Sequence, residues 1–87
     1  MTIWKYPLAI ETHQCILMPN GAQMLTVQIQ GDQPCIWVLV EPDNPYRLRD
    51  VYMYGTGHTI PVSKIAEHAY VGTFQLDSGR LVFHVFG

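Results

Sequence analysis

Charge is what this sequence has least of. Five Lys and Arg and seven Asp and Glu make up 14% of the 87 residues, where a soluble domain usually carries about a quarter. So few basic residues cannot build the concentrated cationic surface that duplex phosphates demand, and duplex nucleic acid is excluded as a partner. A formal net charge of −2 steers no partner in either direction. Long apolar runs are also missing: Cys35 to Val40, the longest unbroken one, is far shorter than the ~20 residues that span a bilayer. The start of the chain has no basic segment leading into a long apolar core, so the expectation is a cytoplasmic protein with no membrane association. Cysteine is limited to Cys15 and Cys35. Each sits in an apolar run, where a reduced thiol acts as a small hydrophobe. One disulfide between neighbouring strands is the most they allow, and a reducing compartment disfavours it. No repeat, low-complexity tract or linker interrupts the chain, so residues 1–87 are expected to form a single β-rich domain.

What is present is apolar, at 48% of residues. A chain this short has a marginal core and too few charges to cover a small globule. Part of its apolar surface is therefore expected to be buried against another copy of itself or a partner.

Turn chemistry divides the chain. Ile3 to Ile10 is aromatic and branched with Trp4, Tyr6, Leu8 and Ile10 on one face, and Pro7, lacking an amide hydrogen, either confines this strand to a sheet edge or breaks it at the proline. Gln14 to Met18 forms a second strand closed by Pro19-Asn20-Gly21, in which Asn-Gly is the strongest short turn signal of the sequence. From Met24 to Gln30 the side chains alternate, with Leu25, Val27 and Ile29 expected on the core side. Gly31-Asp32 reads as a two-residue hairpin turn into Cys35–Val40, whose unbroken apolar character predicts a central strand covered on both faces. Glu41 to Pro45 is a proline loop. Arg47 to Tyr54 is extended again, with Arg47, Arg49, Val51 and Met53 on one face and Leu48, Asp50, Tyr52 and Tyr54 on the other. Ser63 to His68 has a capping serine and room for one or two helical turns. Ala69–Leu76 and Arg80–Phe86 form a hairpin around Asp77-Ser78-Gly79, with Gly79 in the left-handed position. The sum is a mainly β chain of six to seven short strands, meandering into a small antiparallel barrel or sandwich with at most one short helix at about 63–68. An α+β sheet with one helix on a face is the alternative.

Chemistry concentrates at Tyr54-Gly55-Thr56-Gly57-His58, where a strand runs into a glycine loop ending in a histidine. Successive amides in such a loop can cradle an anion, and His58 adds a titratable charge. The further glycines or Lys-Ser/Thr of a nucleotide fingerprint are missing, so the plainer reading is a tight turn. Arg47 and Arg49 share one strand face and suit a phosphate or an acidic partner, against the plainer reading of a solvated face balanced by Glu41 and Asp43. Four histidines and two cysteines show no zinc-finger spacing, His13 and Cys15 being the only close pair on one face, so neither a metal site nor a cofactor is expected. Ser63 and Ser78 lie in cap and turn contexts, and neither cysteine has a cationic sequence neighbour to activate it, which leaves no nucleophilic triad.

Ile3-Trp4-Lys5-Tyr6-Pro7-Leu8, Tyr54-Gly55-Thr56-Gly57-His58, Val71-Gly72-Thr73-Phe74-Gln75 and Val82-Phe83-His84-Val85-Phe86 together resemble a family of short, functionally uncharacterised proteins of tailed phages and bacterial genomes. The resemblance implies a bacterial host cytoplasm and an accessory role on host machinery, such as anti-defence or regulation. It brings no catalytic or binding residues with it. Three functions follow as expectations. The first is a non-enzymatic, homo-oligomeric protein that binds a host bacterial protein. The second is an oligomeric sponge holding a small anionic nucleotide near Gly55 to His58 with Arg47 and Arg49. The third is a small enzyme using His58 as acid or base.

Overall fold

Seven runs rich in branched and aromatic residues become seven strands, because such side chains pack well on a pleated surface. The computed structural model describes residues 1–87. The strands are β1 (Thr2–Pro7), β2 (His13–Pro19), β3 (Gln23–Gln30), β4 (Gln33–Val40), β5 (Tyr46–Gly55), β6 (Tyr70–Leu76) and β7 (Leu81–Phe86), with one short helix, α1 (Val62–Ile65), between β5 and β6.

They form two antiparallel sheets, β1-β4-β3 and β2-β5-β7-β6. Only β3–β4 and β6–β7 are hairpins of consecutive strands, so the expected meander is replaced by two sheets between which the chain crosses. The Asn20-Gly21 turn is such a crossing. Gly21 takes the left-handed φ of 81° and the Ala22 amide closes onto the Pro19 carbonyl at 3.2 Å. The turn carries the chain from one sheet to the other instead of pairing β2 with β3. Asn20 is held there by the proline loop, donating its amide to the Pro45 carbonyl at 2.8 Å, while Asn44 Nδ2 donates to the Asn20 carbonyl at 2.9 Å.

The inward faces of the two sheets share one core: Ile36, Val38 and Val40 of β4, Val27 of β3, Met18 of β2, Val51 and Met53 of β5, Phe74 of β6 and Val85 of β7, closed by Leu8 and Ala22. This is an open sandwich and not a closed barrel. At one corner β6 reaches β3 side by side, yet no ladder joins them. A Cβ added to Gly72 would stand 2.9 Å from Val27 Cγ1, so glycine is what lets the two backbones come that close. Gly72 follows a register shift in the β6–β7 ladder, and the bulge turns the strand toward its neighbour.

Local expectations fared unevenly. β1 is an edge strand and also ends at Pro7, short of the Ile10 expected from the sequence, and the two hairpin turns stand where Gly31 (φ 63°) and Gly79 (φ 86°) place them. The helix is a single turn from Val62 that starts at Pro61 without a side-chain cap, so Ser63 caps nothing. In β3, a bulge at Leu25 breaks the register between Met24 and Thr26. Met24 packs against the core and Leu25, expected inside, is 40% exposed. β4 is the central strand of its sheet; its inner face is buried throughout and its other face only in part, with Cys35 buried and Trp37 and Leu39 partly exposed. Cys15 and Cys35 lie in different sheets and are both free, Cys15 exposed and Cys35 buried.

Tyr6 is the odd group on the inner face of β1. Its ring packs against the core and its buried hydroxyl has no hydrogen-bond partner. Burial, and next the Tyr46 phenol, push its ionisation above the usual tyrosine value. A raised phenol is protected in the folded state, so the stability it confers is present below about pH 10 and falls as pH rises through the raised value. Tyr6→Phe removes an unpaired buried donor without changing shape. It is expected to leave stability unchanged or raise it by about 1 kcal/mol and to reduce the alkaline loss, which urea melts at neutral and alkaline pH measure. A loss above about 1 kcal/mol at neutral pH would mean the hydroxyl is paired.

Candidate functional site

Alternation along β5 sends Val51 and Met53 into the core and Asp50, Tyr52 and Tyr54 to the outer face of the four-stranded sheet. The segment 56–69, with α1, folds back over that face. Tyr54 is only 7% exposed beneath it, and between segment and sheet lies a cleft of about 440 Å³ walled by His13, Tyr52, Tyr54, His58, Pro61 and Lys64. A smaller hollow of about 210 Å³, with Thr56, Arg80 and Phe83 in its walls, shares His58.

The glycine loop is a tight turn. The His58 amide donates to the Gly55 carbonyl at 3.1 Å, and Gly57 has φ 87°, the left-handed geometry found at the third residue of a type II turn. Gly55 serves a different purpose. A Cβ there would fall 2.9 Å from His58 Cε1, so the imidazole lies on the bare α-carbon and the missing methyl gives it its place. Thr56 turns away to His84, its hydroxyl 2.6 Å from Nε2, while the Thr73 hydroxyl stands 2.9 Å from Nδ1 and meets the Tyr70 hydroxyl in turn. Both ring nitrogens of His84 are thus occupied, which locks the loop onto β6 and β7.

Arg47 and Arg49 are not part of this site. They stand at the opposite end of β5 from Gly55, roughly 20 Å along an extended chain, and share the inward parity of Val51 and Met53. Arg49 Nη1 donates to the Ala22 carbonyl at 2.7 Å and Arg47 Nη1 to Asn20 Oδ1 at 3.4 Å. Both brace the β2–β3 crossing. Nor does Glu41 balance them; its carboxylate lies 3.3 Å from the amino group of Met1. The structure therefore brings together Tyr54, Gly55, Thr56, Gly57 and His58 and separates Arg47 and Arg49 from them.

A second group on the same outer face was half visible in the sequence. The β2–β5 register sets His13 opposite Tyr52 and Cys15 opposite Asp50. His13 Nε2 lies 2.7 Å from Asp50 Oδ1, Cys15 Sγ donates to the same oxygen at 3.4 Å, and Sγ and Nε2 are 3.8 Å apart. The His13 ring stacks on Tyr52 with centroids 4.8 Å apart, and His68 meets the edge of Tyr52 at 5.0 Å. The hydrogen bond from His13, and then that from Cys15, hold the Asp50 carboxyl below its ordinary range. Bonding to Asp50 pushes the Cys15 thiol up, with desolvation and the carboxylate charge adding to it. This is not a nucleophilic relay, in which one ring nitrogen faces the thiol and the other the carboxylate. Both partners face the same nitrogen, and the carboxylate opposes the thiolate that attack requires.

Residues 1–87 match the family model of DUF7352, a domain of unknown function. The chain belongs to this family. The match covers both the glycine loop and the His13–Cys15–Asp50 group. No curated protein and no solved structure matches the chain. No helix of this DUF7352 chain is long and apolar enough to cross a membrane.

Proposed function

We propose that this DUF7352 protein is a small non-enzymatic binding protein that works as a homo-oligomer and engages a protein partner. The observation that carries this is the apolar outer face of β1-β4-β3, on which Ile3 and Leu25 are 54% and 40% exposed. Ile3 pairs directly with the partly exposed Leu39, and Trp37, also partly exposed, continues the patch. Lys5 is the one charged side chain on the outward positions of β1 and β4. A face of that kind suits a second copy of the same chain, since two such patches meeting across a two-fold axis bury apolar area with little charge to desolvate. On the other sheet, Leu17 and Leu48 stand opposite each other, 55% and 61% exposed, and offer an apolar surface to the partner. The resemblance to phage and bacterial proteins favours a host bacterial protein in that role, in the cytoplasm, with an anti-defence or regulatory effect.

Light scattering of the purified chain is expected to give a dimer or larger assembly, and Leu39→Asp a folded monomer by circular dichroism. A strictly monomeric parent at micromolar concentration would remove the basis of the proposal.

The cleft supports a second reading, a sponge for a small anionic nucleotide. Its volume of about 440 Å³ is of ligand size. Lys64, His13 and His58 supply cationic or polar groups beside the Tyr52 ring, without the arginines first assigned to this role. A binding nucleotide at a hundredfold excess over its Kd adds about 2.7 kcal/mol of stability. A thermal-shift panel of mono-, di- and cyclic nucleotides, with Lys64→Ala beside the parent, separates the two readings. The acid–base reading of His58 gains no partner group, since no carboxylate hydrogen-bonds to its ring.

A further inference from the structure

We propose that His13, Cys15 and Asp50 form a binding site for a thiophilic divalent transition ion, with Zn²⁺ as the reference case. The argument begins with convergence. Nε2, Sγ and a carboxylate oxygen, three donors of different chemistry, lie within 4.8 Å of one another on the outer face of β2 and β5. A tetrahedral zinc with bonds of about 2.0–2.3 Å sets its N, O and S donors roughly 3.3–3.6 Å apart. Of the two edges to sulfur, 3.4 and 3.8 Å, the first lies inside that range and the second only slightly above it. The larger adjustment is at the edge from His13 to Asp50, 2.7 Å, which must open by roughly half an ångström. These exposed side chains can supply that by rotation, because an ion would replace the hydrogen bond that now draws them together.

The backbone places the donors without distortion. His13 and Cys15 are two apart on an edge strand and so share a face, while Asp50 is the direct cross-strand partner of Cys15. Stacking on Tyr52 holds the plane of the His13 ring. Charge favours a dication as well. A carboxylate beside a thiol works against thiolate formation, and a divalent ion reverses that balance. On binding, His13 ligates through Nε2 with its proton on Nδ1, Asp50 ligates as the carboxylate, and Cys15 releases its thiol proton to solvent. Two anionic donors and one neutral donor then neutralise the ion. The thiolate selects against Mg²⁺ and Ca²⁺. Three protein donors leave a fourth position open, as at exchangeable or ligand-accepting zinc sites and unlike closed structural ones.

The test uses the purified, metal-free, full chain, titrated with Zn²⁺ by calorimetry and with Co²⁺ by absorbance. The expected result is one ion per chain, with about one proton released, a binding constant that rises with pH, and a thiolate-to-cobalt charge-transfer band. Cys15→Ser should abolish the band, and His13→Ala and Asp50→Asn should each weaken binding at least about tenfold. Cys35→Ser, which alters the buried cysteine of the other sheet, should keep both band and affinity. The three site residues are exposed, so the variants should stay folded by circular dichroism. Absence of zinc binding overturns the proposal. So does a cobalt complex without the charge-transfer band, or an affinity that Cys15→Ser leaves unchanged, because either places the ion on other histidines.

Discussion

Ile36→Ala is expected to lower the free energy of unfolding by about 2–5 kcal/mol, a large share of the roughly 5–15 kcal/mol that holds a domain of this kind together. Ile36 is fully buried. It lies on the inner face of the central strand between Tyr6 of β1 and Val27 of β3, and faces core residues of the second sheet. Truncation there loses the transfer free energy of the removed methylenes. It also leaves a cavity that two hydrogen-bonded neighbours prevent from collapsing. Denaturant melts of parent and variant measure the loss. Leu39→Ala, three positions along the same strand on its partly exposed face, is the built-in comparison: a monomer should lose clearly less there than at Ile36. If Ile36→Ala cost no more than Leu39→Ala, the assignment of inner and outer faces would be reversed.

Gly72→Ala is expected to cost about 1–3 kcal/mol, although alanine would normally gain a little in a strand by restricting the unfolded chain. The added methyl would stand 2.9 Å from Val27 Cγ1, with the Val27 backbone nitrogen and oxygen only 3.6 and 3.8 Å away. A β-branched side chain fixed in the core cannot swing aside, so the corner between the sheets must open. Val27→Ala removes the obstructing methyl, so the double variant should be less destabilised than the sum of the two single changes. Such a cycle isolates the contact. Additive costs would show that β3 and β6 do not meet at these residues.

These two residues also mark where reading the chain stops short. Alternation and turn chemistry are local, so the strands, the two hairpins and the edge position of β1 could be read from neighbouring residues. The face of Arg47 and Arg49 was readable too. They share parity with Val51 and Met53, whose burial commits that face to the core and takes the arginines away from any ligand loop. The bulge at Leu25 left no comparable signal, because Met24 and Leu25 are both apolar and either could have turned inward. The role of Gly55 was hidden for another reason. A glycine that admits a histidine ring is identical in sequence to one that merely turns, and only the 2.9 Å approach of His58 distinguishes them.

Sequence alone settled that this is a small, charge-poor, mainly β chain, and it marked Gly55 to His58 as the place to look, while setting the His13–Cys15 pair aside as no metal site. Its strands announced themselves because side-chain period and turn residues act over a few positions. The tertiary structure decided which strands pair. That choice joined β2 to β5, set Asp50 beside Cys15, 35 residues away in sequence, and left one face of β4 partly exposed. Backbone ladders are nearly indifferent to the identity of their partner. Pairing is therefore selected by how the whole set of apolar faces closes on one core, a property of all seven strands together.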